Sequence, residues 1–347
     1  MTAGLWSFLV VTTLSQAAGD PSAPLREPVA IATRQSQENP RKVTSLLVNG
    51  SFEEAPATRR FVNVAAGASS VRGWVVTGEG IDIVAALYWP ASDGVVSVDL
   101  DGSAGSRISP PYAQGGVAQT FRTTPGTRYL VTFDMAGNPA RPPATKPMRI
   151  FAAGQEAELT FDITGKTMRN MGWSPKSWTF TAKSDSTTLE FRSLTVSPLT
   201  GFGPAIDNVS VVALDGPAQL EVTENEKEIR AKLGAELLFD TGKFTLRPAA
   251  TAALDKLALL IRGNPGLPIL IEGHTDSVGT REANRILSLN RANAVKEWLT
   301  SKGEVASSRI SVRGHGSTMP VAPNQTAEGR QKNRRVEVRL QKAPAGE

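Results

Sequence analysis

Near residue 216 the chain changes its period, and this change restricts the fold more than any other feature. Between residues 45 and 214, short apolar or alternating runs such as Ser97-Val98-Asp99-Leu100, Tyr129-Leu130-Val131-Thr132-Phe133 and Leu189-Glu190-Phe191 are separated by Gly, Pro, Asn and Asp. Short runs with frequent turn signals predict an all-β sandwich or jelly roll. Beyond Asp215-Gly216-Pro217, helix and strand patterns alternate instead. Leu254, Leu257, Ala258 and Ile261 recur at helical spacing behind Pro248, which a first helical turn tolerates. Residues 267–272 read as a buried strand, and residues 285–299 as a second helix with Leu287, Val295, Trp298 and Leu299 on one side. Residues 310–312 and 336–340 read as further strands, so the second half is α+β. A chain of 347 residues exceeds one compact core and suits two such domains.

Residues 1–18 have the shape of a secretory signal: the apolar run Leu5-Trp6-Ser7-Phe8-Leu9-Val10-Val11, then the small residues around Ala17-Ala18-Gly19. No Lys or Arg precedes the run, so the usual basic start of a signal is missing. The run is too short to span a bilayer, and no later stretch approaches the ~20 apolar residues of a membrane helix, so no transmembrane segment is expected in the mature chain. Residues 19–44, rich in Pro, Ser, Gln and charge without a period, read as a disordered linker. The expected organisation is therefore a signal (1–18), a linker (19–44), a β-sandwich (45–214), a linker (215–228), an α+β domain (229–342) and a tail (343–347).

Zero cysteines and two histidines, His274 and His315, remove disulfide frameworks, thiolate or three-histidine zinc sites, iron–sulfur ligation and a cysteine nucleophile. Both histidines read as turn or structural residues. The formal charge of +5 gathers near the C-terminus, where Arg330, Lys332, Arg334, Arg335, Arg339 and Lys342 face only Glu328 and Glu337. This cluster lacks the interleaved aromatics of a stacking platform, and nucleic acid is not an expected partner. Gly165-Lys166-Thr167 lacks the first glycine of a phosphate loop, Thr160 standing in its place. Asp99 and Asp101 share a strand face and read as a surface pair beside a glycine turn rather than as a glycosidase pair.

Ile271-Glu272-Gly273-His274-Thr275-Asp276, followed by Asn284, Leu287-Ser288, Arg291-Ala292, Glu328-Gly329-Arg330 and Asn333-Arg334-Arg335-Val336-Glu337-Val338, resembles the OmpA-like peptidoglycan-binding domain. The resemblance extends over residues 226–342 in the right order and includes Leu238-Phe239-Asp240. It implies a domain that grips the free end of diaminopimelate in the peptidoglycan stem without covalent chemistry. That end carries an ammonium and a carboxylate on one carbon, so a specific pocket needs a fixed anion and a fixed cation. Asp276 supplies the first and Arg291 the second, whose planar fork meets a carboxylate bidentately. By the resemblance, Asp240, Thr275, Asn284 and Arg334 complete the pocket with hydrogen bonds. A bland alternative stands beside this one, in which Asp and Arg pair with each other and the basic residues form a solvated face.

In the first half, Leu47-Val48-Asn49-Gly50-Ser51-Phe52-Glu53, Tyr88-Trp89, Gly137-Asn138-Pro139 and the closing run Gly203-Pro204-Ala205-Ile206-Asp207-Asn208-Val209-Ser210-Val211 resemble the choice-of-anchor C family, whose domains are related to galactose-binding-like jelly rolls. Carbohydrate binding would use exposed aromatics, with Trp89, Tyr112 and Trp173 as candidates, unless these fill the sandwich core. The same resemblance suggests a structural calcium ion held by Glu53 and Asp207, although Asp207 could equally cap a turn. No cofactor is otherwise required.

The expected protein is a non-enzymatic, wall-associated component of the periplasm or envelope of a Gram-negative bacterium, bound to peptidoglycan and presenting a second surface to a glycan or an envelope protein. The alternatives are a wall-targeted glycan-modifying enzyme and an adhesin or linker with a protein partner.

Overall fold

Alternating apolar residues across the first half give two antiparallel sheets that share one core. The structure, a computed structural model, describes residues 44–56, 60–102, 114–196, 201–214 and 220–342. The expected signal, most of the first linker, residues 215–219 of the second, the tail and Tyr112 lie outside the described residues. Strands are numbered in chain order. One sheet runs β1 (Phe61–Val64), β3 (Ile81–Ala85), β4 (Val96–Asp99), β11 (Pro204–Ala213), β6 (Arg128–Gly137), β9 (Ser174–Thr181). The other runs β2 (Val75–Gly78), β5 (Gly115–Arg122), β10 (Ser186–Ser193), β7 (Thr145–Ala152), β8 (Gln155–Asp162). Phe133 of β6 meets Phe191 of β10 edge-on at 5.0 Å, tying the sheets across a core that also holds Phe52, Trp74 and Trp89.

The opening and closing runs of this half form one knot. Asn49 and Phe52 have positive φ, and the Trp74 indole N–H donates to the Asn49 carbonyl at 3.0 Å. Val209 N–H donates to the Gly50 carbonyl at 2.8 Å, and a Cβ on Gly50 would stand 1.9 Å from the Val209 oxygen. Only glycine permits that approach.

Asp99 and Asp101 are not on the surface. They are 1% and 3% exposed and lie in a buried polar cluster with Asp82 and Lys146, itself fully buried. Asp99 accepts from the Asn138 amide at 3.0 Å and from the backbone of Asp101 and Gly203. Lys146 Nζ donates to the carbonyls of Arg141 and Phe202 at 2.9 and 2.6 Å. By sequence both aspartates share one exposed strand face; β4 instead ends at Asp99, and Asp101 follows it into the same buried cluster.

The second half is a five-stranded sheet in the order β12 (Glu221–Glu224), β13 (Glu228–Gly234), β16 (Arg335–Gln341), β14 (Ile269–His274), β15 (Ile310–Gly316). Only β14 and β15 are parallel, and α3 (Arg281–Ser301) makes the crossover that parallel pairing requires. The remaining helices are α1 (Ala235–Leu238), α2 (Thr251–Arg262) and α4 (Ala327–Asn333). α3 begins four residues before the expected start because Thr280 caps it, its hydroxyl accepting from Ala283 N–H at 3.2 Å. The segment expected as a linker up to residue 228 contains β12, which pairs with β13. One apolar residue, Val222, suffices for an edge strand.

The two halves also share a core. Leu130 and Val212 of the sandwich, with Leu214, are buried among Leu220, Leu257, Ile261 and Leu340 of the α+β half. Asn264 Nδ2 donates to Ser177 Oγ at 2.8 Å, and the Arg128 guanidinium to the Val222 carbonyl. Leu130→Ala should therefore cost about 2–5 kcal/mol and shift one joint calorimetric transition. Two transitions, with only one displaced, would contradict a shared core.

Candidate ligand-binding pocket

The sheet face covered by α3 prepares the site. A Cβ on Gly273 would stand 2.0 Å from the Ser288 carbonyl oxygen, so β14 and α3 touch backbone to backbone. Gly316 N–H donates to Ser288 Oγ at 2.9 Å and Thr275 N–H to the Gly316 carbonyl, locking β14, α3 and β15 at one point. The buried stripe of α3 is apolar at its far end (Ala292, Val295, Trp298, Leu299) and polar at its start (Asn284, Ser288, Arg291). Of the polar start, Asn284 and Arg291 face a pocket, while Ser288 is buried against β14 and β15.

That pocket has a volume of about 600 Å³, and all six residues expected from the resemblance line it: Asp240, Thr275, Asp276, Asn284, Arg291 and Arg334. Asp276 is 9% exposed; its Oδ1 accepts from Val278 N–H at 3.0 Å, and its Oδ2 lies 2.8 Å from Arg334 Nη1. Asn284 holds the same loop by donating to the Val278 carbonyl at 2.9 Å, and Thr275 Oγ1 donates to the Asp276 carbonyl at 3.0 Å. Asp240 is exposed at the rim, 3.5 Å from Lys243 Nζ and 3.6 Å from Arg247 Nε.

Arg291 is 4% exposed. Its Nε donates to the Lys243 carbonyl at 3.0 Å, its Nη2 reaches the Asp240 carbonyl at 3.5 Å, and its guanidinium lies 5.2 Å from the Phe239 ring centroid. No carboxylate of the described residues forms an ion pair with it. Burial, and then the Arg334 charge, lower its pKa, and only the Asp276 charge opposes them. A buried cation with two donors engaged out of five retains donors for an anion.

Phe239, Leu287, Arg247 and Arg330 also line the pocket and were not assigned to it by sequence. Leu238-Phe239-Asp240 carried a signal for Phe239. Arg330, which donates to the carbonyls of Asn324 and Gln325, belongs to the Glu328-Gly329-Arg330 run of the resemblance, which gave it no place in the pocket. The two histidines lie elsewhere: their rings stack at 5.1 Å, His315 Nε2 is 2.7 Å from Glu272 Oε1, and burial pushes His274 down to about 3.

The sandwich candidates fare differently. Trp89 is 1% exposed with its indole N–H on Ser97 Oγ at 2.8 Å, so its ring is core and offers no face to a sugar. Trp173 is half-buried against the same core and donates to the Pro90 carbonyl at 2.8 Å. Glu53 Oε1 accepts from Val95 and Val96 N–H at 2.9 Å, and Asp207 Oδ2 accepts from Ser92 and Asp93 N–H at 2.8 and 2.9 Å, while Asp207 Oδ1 takes Asn208 N–H. These oxygens face N–H donors, which does not fit a calcium ligand set. No group of three or more His, Cys, Asp or Glu among the described residues is placed to hold a metal. The two acids instead clasp the loop at residues 92–96.

Known proteins resemble each half. The OmpA family matches residues 238–334, and the family described as Protein of unknown function (DUF642) matches residues 45–212. Outer membrane protein A of Bordetella avium is 37% identical over 160 residues, 46% of this chain and 78% of that protein. Peptidoglycan-binding protein ArfA of Mycobacterium tuberculosis is 36% identical over 122 residues, 35% of this chain and 37% of that protein, so this chain spans little more than a third of it. The periplasmic domain of Helicobacter pylori MotB is 26% identical with a TM-score of 0.33, covering 36% of this chain and 84% of that one.

Proposed function

This chain belongs to the OmpA family, and on that premise we propose that its α+β domain binds peptidoglycan non-covalently by holding the free end of diaminopimelate. Arg291 carries the reading: it is buried, faces the pocket opposite Asp276, and has no carboxylate partner among the described residues. The ligand carboxylate satisfies its free donors, and the ligand ammonium goes to Asp276 Oδ2. Phe239 beneath the guanidinium and the Lys243 carbonyl fix the fork in the orientation a bidentate contact needs. Asn284 and Thr275 hold the loop that presents Asp276, and Asp240 closes the rim.

The work is recognition, which needs neither nucleophile nor metal. The envelope location, wall-associated and periplasmic, follows from the ligand and agrees with the named relatives. Among the described residues no helix is long and apolar enough to cross a membrane. The wall-degrading alternative loses its acid pair, since Asp99 and Asp101 are buried and engaged within the sandwich. A carbohydrate role for the sandwich loses Trp89 for the same reason.

Sedimentation of the full chain with purified sacculi tests the reading. Arg291→Ala and Asp276→Ala should each weaken binding by about 100-fold, since each strands a buried charge of the complex. Arg291→Lys should recover little, because an ammonium lacks the fork. If both alanine variants sediment as wild type does, the pocket is not the wall contact.

A further inference from the structure

In the free protein Asp276 is already covered. Arg334 Nη1 occupies its Oδ2 at 2.8 Å, with the Arg334 side chain 36% exposed against 13% for Asp276. The Arg334 backbone is pinned, its N–H donating to the Arg330 carbonyl at 3.1 Å and its carbonyl accepting from Ala235 N–H at 3.0 Å. Only the side chain is therefore free to move. Across from it, Arg291 is the more buried cation and has no counter-anion among the described residues. The pocket lining holds four guanidiniums (Arg247, Arg291, Arg330 and Arg334) and three carboxylates (Glu236, Asp240 and Asp276), an excess of one positive charge.

We infer that Arg334 is a specificity-determining residue: it covers Asp276 until a ligand ammonium takes its place, then moves onto the ligand carboxylate beside Arg291. The inference rests on the reading of this pocket as a diaminopimelate site. The charge balance makes the exchange selective. A zwitterionic end leaves the excess at one, with the ammonium on Asp276 and the Arg291 and Arg334 guanidiniums on one carboxylate. A lysine side chain, which brings the ammonium without the carboxylate, raises the excess to two and leaves those two guanidiniums without an anion. Arg334 therefore works against lysine more than it works for diaminopimelate. A ligand with only a carboxylate leaves the Asp276 pair undisturbed and gains Arg291 alone.

Calorimetric titration of the full chain with two stem peptides, carrying diaminopimelate or lysine at the same position, separates these contributions. Wild type should prefer the diaminopimelate peptide. Arg334→Gln should shrink that preference by about tenfold, the size of one charge-assisted hydrogen bond, and part of the change should be an absolute gain in lysine-peptide affinity. A gain of this kind does not arise from misfolding. If Arg334→Gln weakens both peptides equally, or leaves the preference unchanged, Arg334 is no specificity residue and the inference fails while the pocket assignment stands. If wild type binds neither peptide, the pocket assignment itself falls, and the inference with it.

Discussion

Gly273→Ala is expected to cost about 3 kcal/mol or more and to abolish sacculus binding at the same time. The substitution places a methyl group 2.0 Å from the Ser288 carbonyl oxygen, with the Ser288 carbonyl carbon at 2.8 Å. These are backbone atoms of a helix held by its own hydrogen bonds, so no side chain can turn aside. The helix has to lift from β14. Asn284 and Arg291 ride on that helix, whereas Thr275 and Asp276 follow β14, so lifting separates the two halves of the pocket. Binding should fall even where the folded population remains large. Gly266→Ala is the control, since a Cβ there meets nothing within 4 Å. Thermal denaturation and sedimentation of both variants check the expectation; a Gly273→Ala protein that melts with wild type and still binds sacculi would show that α3 is not seated as described.

The second large effect is a pH dependence located in the sandwich. Burial, reinforced by the mutual charge of the aspartates, raises Asp99 from 3.8 to about 8. Burial likewise raises Asp101 from 3.8 to about 7, against the pull of Ser193 and Lys146. A carboxyl group whose folded pKa is raised binds protons more tightly in the native state. Its contribution is therefore fully present below the unfolded pKa near 4 and is lost as pH rises through the folded value. Stability should decline between about pH 4 and pH 8, by on the order of a few kcal/mol. Asp101→Asn isolates one of the two groups. Its Oδ1 has no hydrogen-bond partner, so an amide there displaces no donor, and the other oxygen can still accept from Ser193. The variant should be more stable than wild type at pH 8, and the two should converge near pH 4. Urea titrations at both pH values decide it; a variant less stable than wild type at pH 8 would mean that the Asp101 charge is needed beside Lys146.

Much of the candidate pocket was legible through the family resemblance, whose residues lie in short runs that keep their order along the chain. Thr275 and Asp276 follow a strand directly, and Asn284, Ser288 and Arg291 continue the Leu299–Val295–Ala292 stripe backwards as a polar row. A stripe that turns polar within the first turns of a helix marks where that face leaves the apolar core. Arg330 is legible as part of a motif but not as a pocket residue, and Arg247 not at all, because their approach to the pocket depends on how α4 and the loop after α1 close over the sheet. In the sandwich, strand periodicity was legible but depth was not. Trp89 lies in the turn after β3 and the Asp99–Asp101 pair at the end of β4, where sequence looks like turn, while the fold around them buries them. Glu53 and Asp207 show a similar limit: acidic residues in an opening and a closing run suggest ligands, yet here backbone N–H groups 42 and 115 residues away in sequence engage them. The strand at Glu221–Glu224 escaped notice because its alternation contains one apolar residue and gains meaning only beside β13.

The leucine and valine side chains shared between the two halves have a mechanical consequence. A module joined to its neighbour by chain alone first uncoils when the wall and a partner pull apart, and the bond at the pocket feels little force until the slack is gone. Here Leu130, Val212 and Leu214 sit inside the neighbouring core, and Asn264 is hooked to Ser177. If the pocket holds the wall as proposed, tension applied through the sandwich would load that joint and pass with little delay to the ligand held between Asp276 and Arg291. The lifetime of wall attachment under load would then depend on residues of the first half that line no part of the pocket.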